Sequence, residues 1–277
     1  MPDLPTLAFS TLACPEWSAD DVVARAGAIG YDAIEWRGGP DGHVSPGWST
    51  PRRAALRRLM ADHGTSALAV TSYTDFVTGD ARARADAVDH LRRHLDLAAD
   101  LGASTVRAFV GIVDDGAPLP DLIARAVDGL AACVENARTS GVAIAIEPHD
   151  DFDTASSIAP ILSRLDPSVG VVWDIVNAWG GDEDPAAGAE MVGSRVRYVQ
   201  VKDARWAGGE WQLMPIGLGA VPLVEGLRAL AAIGPLPPLS LEWERAWHPE
   251  LDPPDIALPR ELTALRRIAS AALTPSG

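Results

Sequence analysis

The chain has 277 residues, 47% of them hydrophobic and 22% charged, the make-up of a folded water-soluble domain with a large core rather than of a disordered or fibrous chain. Its 23 Lys and Arg against 38 Asp and Glu leave a formal charge of −15, which repels phosphate backbones and argues against a nucleic-acid substrate. No run reaches the roughly 20 apolar residues of a membrane span, and two cysteines, Cys14 and Cys133, are too few for a disulfide scaffold.

The opening residues Met1 to Pro5 carry no basic flank or long apolar run, so no secretory leader and a cytoplasmic location are expected. From there, short β-type runs alternate with helical stretches. Strands are predicted at Thr6–Leu12, Ala33–Arg37, Ala67–Ser72, Thr105–Val110, Val142–Pro148, Gly170–Ile175, Val196–Lys202 and Leu239–Glu244. Many are rich in Val, Ile and Leu, as strands buried on both faces are. Ser18 caps a helix Ala19–Ile29 that Gly30 ends, and Thr50-Pro51 opens one that runs to His63. Further helices are predicted at Asp80–Leu101, Pro118–Arg138, Thr154–Leu165, Pro185–Val192, Val221–Ile233 and Ala257–Ala272.

Strict alternation of eight strands and eight helices means a parallel sheet. At this length, closure leaves no edge strand, so the prediction is an α/β fold, a single (β/α)₈ TIM barrel domain over residues 1–277. An open doubly wound sheet lacks its Gly-rich phosphate loop, since Phe9–Cys14 follows the first strand.

Barrels of this kind build their sites at the C-terminal strand ends. There the chain places Glu35-Trp36-Arg37, Arg107, Glu147-Pro148-His149-Asp150, Trp173-Asp174-Ile175-Val176-Asn177, Gln200-Val201-Lys202-Asp203 and Glu242-Trp243-Glu244-Arg245. A carboxylate straight after an apolar strand core is costly to bury without a partner. Polar ends on four consecutive strands are expected to converge Glu147, Asp174, Gln200 and Glu242 as metal ligands. Three such carboxylates repel one another, and a divalent cation relieves this; an all-oxygen set favours Mn²⁺ or Mg²⁺.

These motifs resemble those of the xylose-isomerase-like barrel superfamily, which holds sugar isomerases and epimerases, hydroxypyruvate isomerase, inosose dehydratases and apurinic endonucleases. The resemblance covers nearly the whole chain and is strongest from Val142 to Glu244. Asn177 and Gln200 depart from the His residues usual in the superfamily, and together with the charge they argue against the multi-zinc nuclease branch.

The resemblance implies a metal-dependent isomerase or epimerase of a sugar or sugar-like hydroxycarbonyl compound. A proton next to a polarised carbonyl would be abstracted through an enediolate, with Glu147 and Glu242 as acid and base. It also implies homodimers or homotetramers. A cyclitol (inosose-type) dehydratase on the same site and a non-catalytic ligand-binding barrel are the alternatives. His149, Asn177, Lys202 and Arg205 are the expected substrate contacts, with Lys202 and Asp203 also readable as a strand-end ion pair. Trp36 and Trp173, among nine tryptophans, are expected to stack on a sugar or cyclitol ring at the mouth. His43, His63, His90 and His94 are expected at the surface.

Overall fold

A computed structural model describes residues 4–39 and 41–274; residues 1–3, on which the expectation of no leader partly rests, lie outside them. Eight parallel strands close into a barrel: β1 (Leu7–Ser10), β2 (Ala33–Arg37), β3 (Ser66–Thr71), β4 (Thr105–Ala108), β5 (Ala143–Ile146), β6 (Gly170–Asp174), β7 (Val196–Val201) and β10 (Leu239–Leu241). Two further strands, β8 (Asp203–Ala207) and β9 (Glu210–Met214), form an antiparallel hairpin beyond β7. The helices are α1 (Ala19–Ile29), α2 (Thr50–Asp62), α3 (Ala81–Leu101), α4 (Leu119–Ser140), α5 (Ala155–Leu162), α6 (Ile175–Gly180), α7 (Pro185–Val192), α8 (Leu223–Ile233) and α9 (Pro254–Leu273).

Local chemistry sets the boundaries. Ser18 and Asp21 form a reciprocal capping box at the start of α1, and Asp80 accepts from the backbone N–H of Arg82 and Ala83 at the start of α3. Gly30, Gly102 and Gly141 end α1, α3 and α4 in the left-handed conformation that favours glycine.

The core has two layers. The larger lies between the strands and the helices and takes the bulky side chains, Trp36, Trp173, Leu91 and Leu95 among them. The smaller lies inside the barrel and is built from Ala8, Ala33, Leu68, Ala69, Ala145, Val172 and Tyr198. Four alanines fill little of the interior. Above them sit buried polar side chains: Glu35, Arg107, Glu147, Asp174, Gln200, Ser240 and Glu242. Small residues below and charged residues above make the C-terminal half of the barrel a polar well.

Candidate active site

Side chains two apart on a strand share a face, and adjacent ones oppose. On β2 this turns Glu35 inward and Trp36 outward; on β6 it turns Asp174 inward and Trp173 outward. Trp36 and Trp173 are therefore fully buried in the layer outside the barrel, not at its mouth. The Trp173 ring fills the space that the missing side chains of Gly188 on α7 and Gly226 on α8 leave open. The expectation that these two indoles stack on a ligand is corrected by strand alternation. Arg205 is likewise displaced: it is exposed on the hairpin, opposite Gln212.

The mouth is a cavity of about 580 Å³. Glu147, Lys202, Glu242 and Arg107 line its floor, and Tyr73, Phe109, His149 and Trp247 line its sides. A second lobe of about 400 Å³ lies against His149, Asn177, Lys202 and Trp211. His149 stacks on Phe109 with ring centroids 4.3 Å apart. Its backbone is fixed by a two-way bridge to Phe152, around a turn that holds Asp150 at φ 54°. Arg37 Nε donates to Tyr73 Oη at 3.1 Å, and its guanidinium lies 4.7 Å from the Trp247 ring centre.

The predicted ligands come together on the floor, each already engaged. Arg107 donates to Glu147 Oε2 at 2.6 Å. Asn177 Nδ2 lies 3.5 Å from Glu147 Oε1 and donates to the Pro148 carbonyl at 3.2 Å. Asp174 Oδ1 caps α6, accepting from Val176 and Asn177 N–H. Its Oδ2 takes no aligned hydrogen bond and has Lys202 Nζ at 2.8 Å as an ion contact. Lys202 Nζ also reaches Glu242 Oε2 at 2.7 Å and Glu244 Oε1 at 2.6 Å. Among the described residues, no three Asp, Glu, His or Cys side chains stand close enough, as they lie, to grip one ion. As they lie, Lys202 Nζ stands between Asp174 and Glu242, and Arg107 pairs with Glu147.

The donor chemistry nonetheless suits a hard cation. Three carboxylates are buried in one well, and the Gln200 amide oxygen is buried with no hydrogen-bond partner among the described residues. Charge balance is tight. Burial pushes Glu147 up to about 8 against the pull of Arg107, with Glu242 and Asp174 adding to the rise. Burial also raises Asp174, opposed by Lys202. For Glu242, burial is outweighed by Lys202, which holds the carboxyl below its ordinary range. Burial alone would lower Lys202, yet Asp174, Glu242 and Glu244 keep it well above the usual lysine value.

Several site residues were not singled out from sequence. Glu35 is fully buried beneath the ligand set, accepting from Tyr198 Oη and Gln200 Nε2 on one oxygen and from Ser240 Oγ on the other. The signal was available, because Glu35 follows an apolar strand core just as Glu147 does. Tyr73 and Phe109 carry the aromatic walls together with Trp247, a strand-end tryptophan that the sequence offered no way to rank above Trp36. Asp203 is structural: its carboxylate accepts from the N–H groups of Ala204, Gly217, Gly219 and Val221. His94 is buried and His43 and His90 are half-buried, so among the four histidines expected at the surface His63 alone is exposed.

Known proteins share this architecture. A solved structure of IolI with a bound zinc atom superposes with a TM-score of 0.81, at 19% identity, over 98% of this chain and all of that one. A D-psicose 3-epimerase from Clostridium cellulolyticum H10, solved with D-tagatose, gives 0.78 at 15% identity over 98% of this chain and all of that one. A 3-dehydroshikimate dehydratase from Pseudomonas aeruginosa is 28% identical over 200 residues, 68% of this chain and 31% of that protein. The chain thus spans about a third of the length of that curated relative. Residues 23–268 match the family as a whole, and the chain belongs to the xylose isomerase-like TIM barrel family.

Proposed function

We propose that this barrel is a divalent-metal-dependent enzyme that moves a proton next to the carbonyl of a sugar or sugar-like hydroxycarbonyl compound, as an isomerase or epimerase. The observation that carries the reading is the ligand well: three buried carboxylates and a Gln200 carbonyl oxygen without a partner among the described residues, at the ends of four neighbouring strands. Glu147, Asp174, Gln200 and Glu242 would hold the ion, Mn²⁺ or Mg²⁺ by its oxygen donors, once Lys202 Nζ turns from Asp174 toward Glu244, a partner it already has. Such an ion polarises a carbonyl and acidifies the adjacent C–H.

The chain's own groups do the rest. Glu147 and Glu242 both face the cavity, from strands separated by two others round the barrel. One takes the proton and the other, or the same one, returns it. Arg107 fixes the orientation of Glu147, and Lys202 fixes that of Glu242. His149, Asn177 and Lys202 offer donors to substrate oxygens. Tyr73, Phe109 and Trp247 give the apolar face of a sugar or cyclitol ring a wall to lie on.

A dehydratase is the second reading. The sequence relative named 3-dehydroshikimate dehydratase favours it. Both chemistries begin with the same proton abstraction and part on whether a β-hydroxyl leaves.

The test is turnover in D₂O with added Mn²⁺ over ketoses, inososes and 3-dehydroshikimate. Deuterium at a carbon next to the carbonyl, with mass otherwise unchanged, is expected for an isomerase or epimerase; loss of water with new conjugated absorbance moves the assignment to the dehydratase. Glu147→Gln and Glu242→Gln are each expected to lower turnover by roughly 10²–10⁴-fold. Parent-like turnover in either variant would sink the proton-transfer roles.

A further inference from the structure

Gln200 is the ligand whose amide can face two ways. A carboxylate offers a metal the same atom whichever way it turns, whereas a reversed Gln offers an NH₂ group that binds no cation. Something must therefore hold the amide with its oxygen toward the well.

The structure supplies that hold from below. Gln200 Nε2 lies 2.9 Å from Glu35 Oε1 and 3.0 Å from Glu242 Oε1. Both neighbours are carboxylate oxygens, so the atom between them is the donor and the free atom is the carbonyl oxygen. Reversing the amide would set its oxygen against the Glu35 and Glu242 oxygens in a fully buried pocket, which is costly. Glu35 is itself pinned, since Ser240 Oγ donates to its Oε2 at 2.5 Å and Tyr198 Oη to its Oε1 at 2.9 Å. The chain of contacts runs from Ser240 and Tyr198 through Glu35 to Gln200 and on to Glu242. It thus reaches two of the four proposed ligands from below, and of these five residues Glu242 is the one that lines the cavity.

We infer that Glu35 is a positioning residue for cation binding, acting through Gln200 by fixing which atom of its amide faces the well. The inference rests on the metal-site reading above. It assigns Glu35 no contact with substrate or with the ion.

Mn²⁺ titration followed by electron paramagnetic resonance or calorimetry tests it, with thermal unfolding in EDTA as the measure of fold. Glu35→Leu removes the acceptor while keeping the volume close, and is expected to weaken Mn²⁺ binding roughly 10–100-fold, as loss of a ligand's outer partner does. Glu35→Gln keeps an oxygen for Tyr198 and Gln200 and is expected to bind like the parent. In a Gln200→Leu background, Glu35→Leu is expected to weaken binding no further, because it acts through the lost amide. If Glu35→Leu does not fold, Ser240→Ala, which unpins the same carboxylate, carries the test with a smaller loss in the same direction.

A folded Glu35→Leu, or in its stead a folded Ser240→Ala, with the parent's Mn²⁺ affinity overturns the positioning role and leaves the metal site standing. So does a full additional loss in the Gln200→Leu background. No Mn²⁺ binding by the parent itself overturns both readings.

Discussion

His94 occupies the inner face of α3, where its Nδ1–H donates to the His90 carbonyl at 2.8 Å and its Nε2 is buried with no hydrogen-bond partner among the described residues. Its ring edge presses on Gly38, where any side chain would run into both the imidazole and the Thr71 carbonyl. Burial, helped by the neighbouring His90, lowers its pKa to about 4. In an unfolded chain the same imidazole titrates near 6.5. Between those values the unfolded state holds the extra proton, so stability rises with pH through that window and is lost on acidification. The gap corresponds to roughly 3 kcal/mol at most. His94→Gln is expected to flatten this dependence: the difference in urea-unfolding free energy between pH 7.5 and pH 5 should shrink relative to the parent. An unchanged difference would show that His94 titrates alike in the folded and unfolded states.

At the scale of elements, the alternation of apolar runs and capped helices made the barrel legible, and Ala33–Arg37, Ala19–Ile29 and Pro185–Val192 have the predicted bounds. The hairpin β8–β9 was missed although its turn is written in the chain. Gly208 and Gly209, both at positive φ, form a two-residue connection between strands that pair Trp206 with Trp211. The run was short and lay where the period of one strand per helix leaves no place for a pair. The direction of Trp36 and Trp173 was legible too, from Glu35 and Asp174 beside them, but composition drew attention to tryptophan as a type rather than to its phase on the strand. The contacts of Glu35 were not legible, because they join β2 to β7 and β10 across the barrel.

The hairpin also explains Asp203. Its four backbone donors come from β8 and from the segment 217–221, so this one carboxylate ties the hairpin to the start of α8. Gly219 approaches it so closely that an added Cβ would lie 2.0 Å from Asp203 Oδ1. Asp203→Ala is expected to cost about 2–3 kcal/mol, since several buried donors lose their acceptor together. Because Lys202 lies beside it in sequence, Mn²⁺ affinity should fall as well. A variant with unchanged unfolding free energy would mean that water replaces the carboxylate without loss.

For the whole molecule, the proposed ligands lie on β5, β6, β7 and β10, which are consecutive round the closed sheet. An ion there would add a direct link among four strands that already share backbone ladders, apolar packing and the side-chain contacts of Lys202 with Asp174 and Glu242 and of Gln200 with Glu242. It would also replace an arrangement in which Lys202 alone serves three carboxylates, a cluster whose desolvation cost offsets much of its attraction. Binding confined to the folded state stabilises by mass action, by about 2.7 kcal/mol when the free ion stands at a hundred times its dissociation constant. For a domain of this size that corresponds to a rise in Tm of about 4–6 °C. Mn²⁺ is therefore expected to raise the Tm of the parent by that amount and EDTA to reverse it, while Glu242→Gln shows a much smaller rise at the same concentration. A Tm indifferent to Mn²⁺ up to millimolar levels would mean that Lys202 and Arg107 already satisfy the well, and that its carboxylates serve the fold and not an ion.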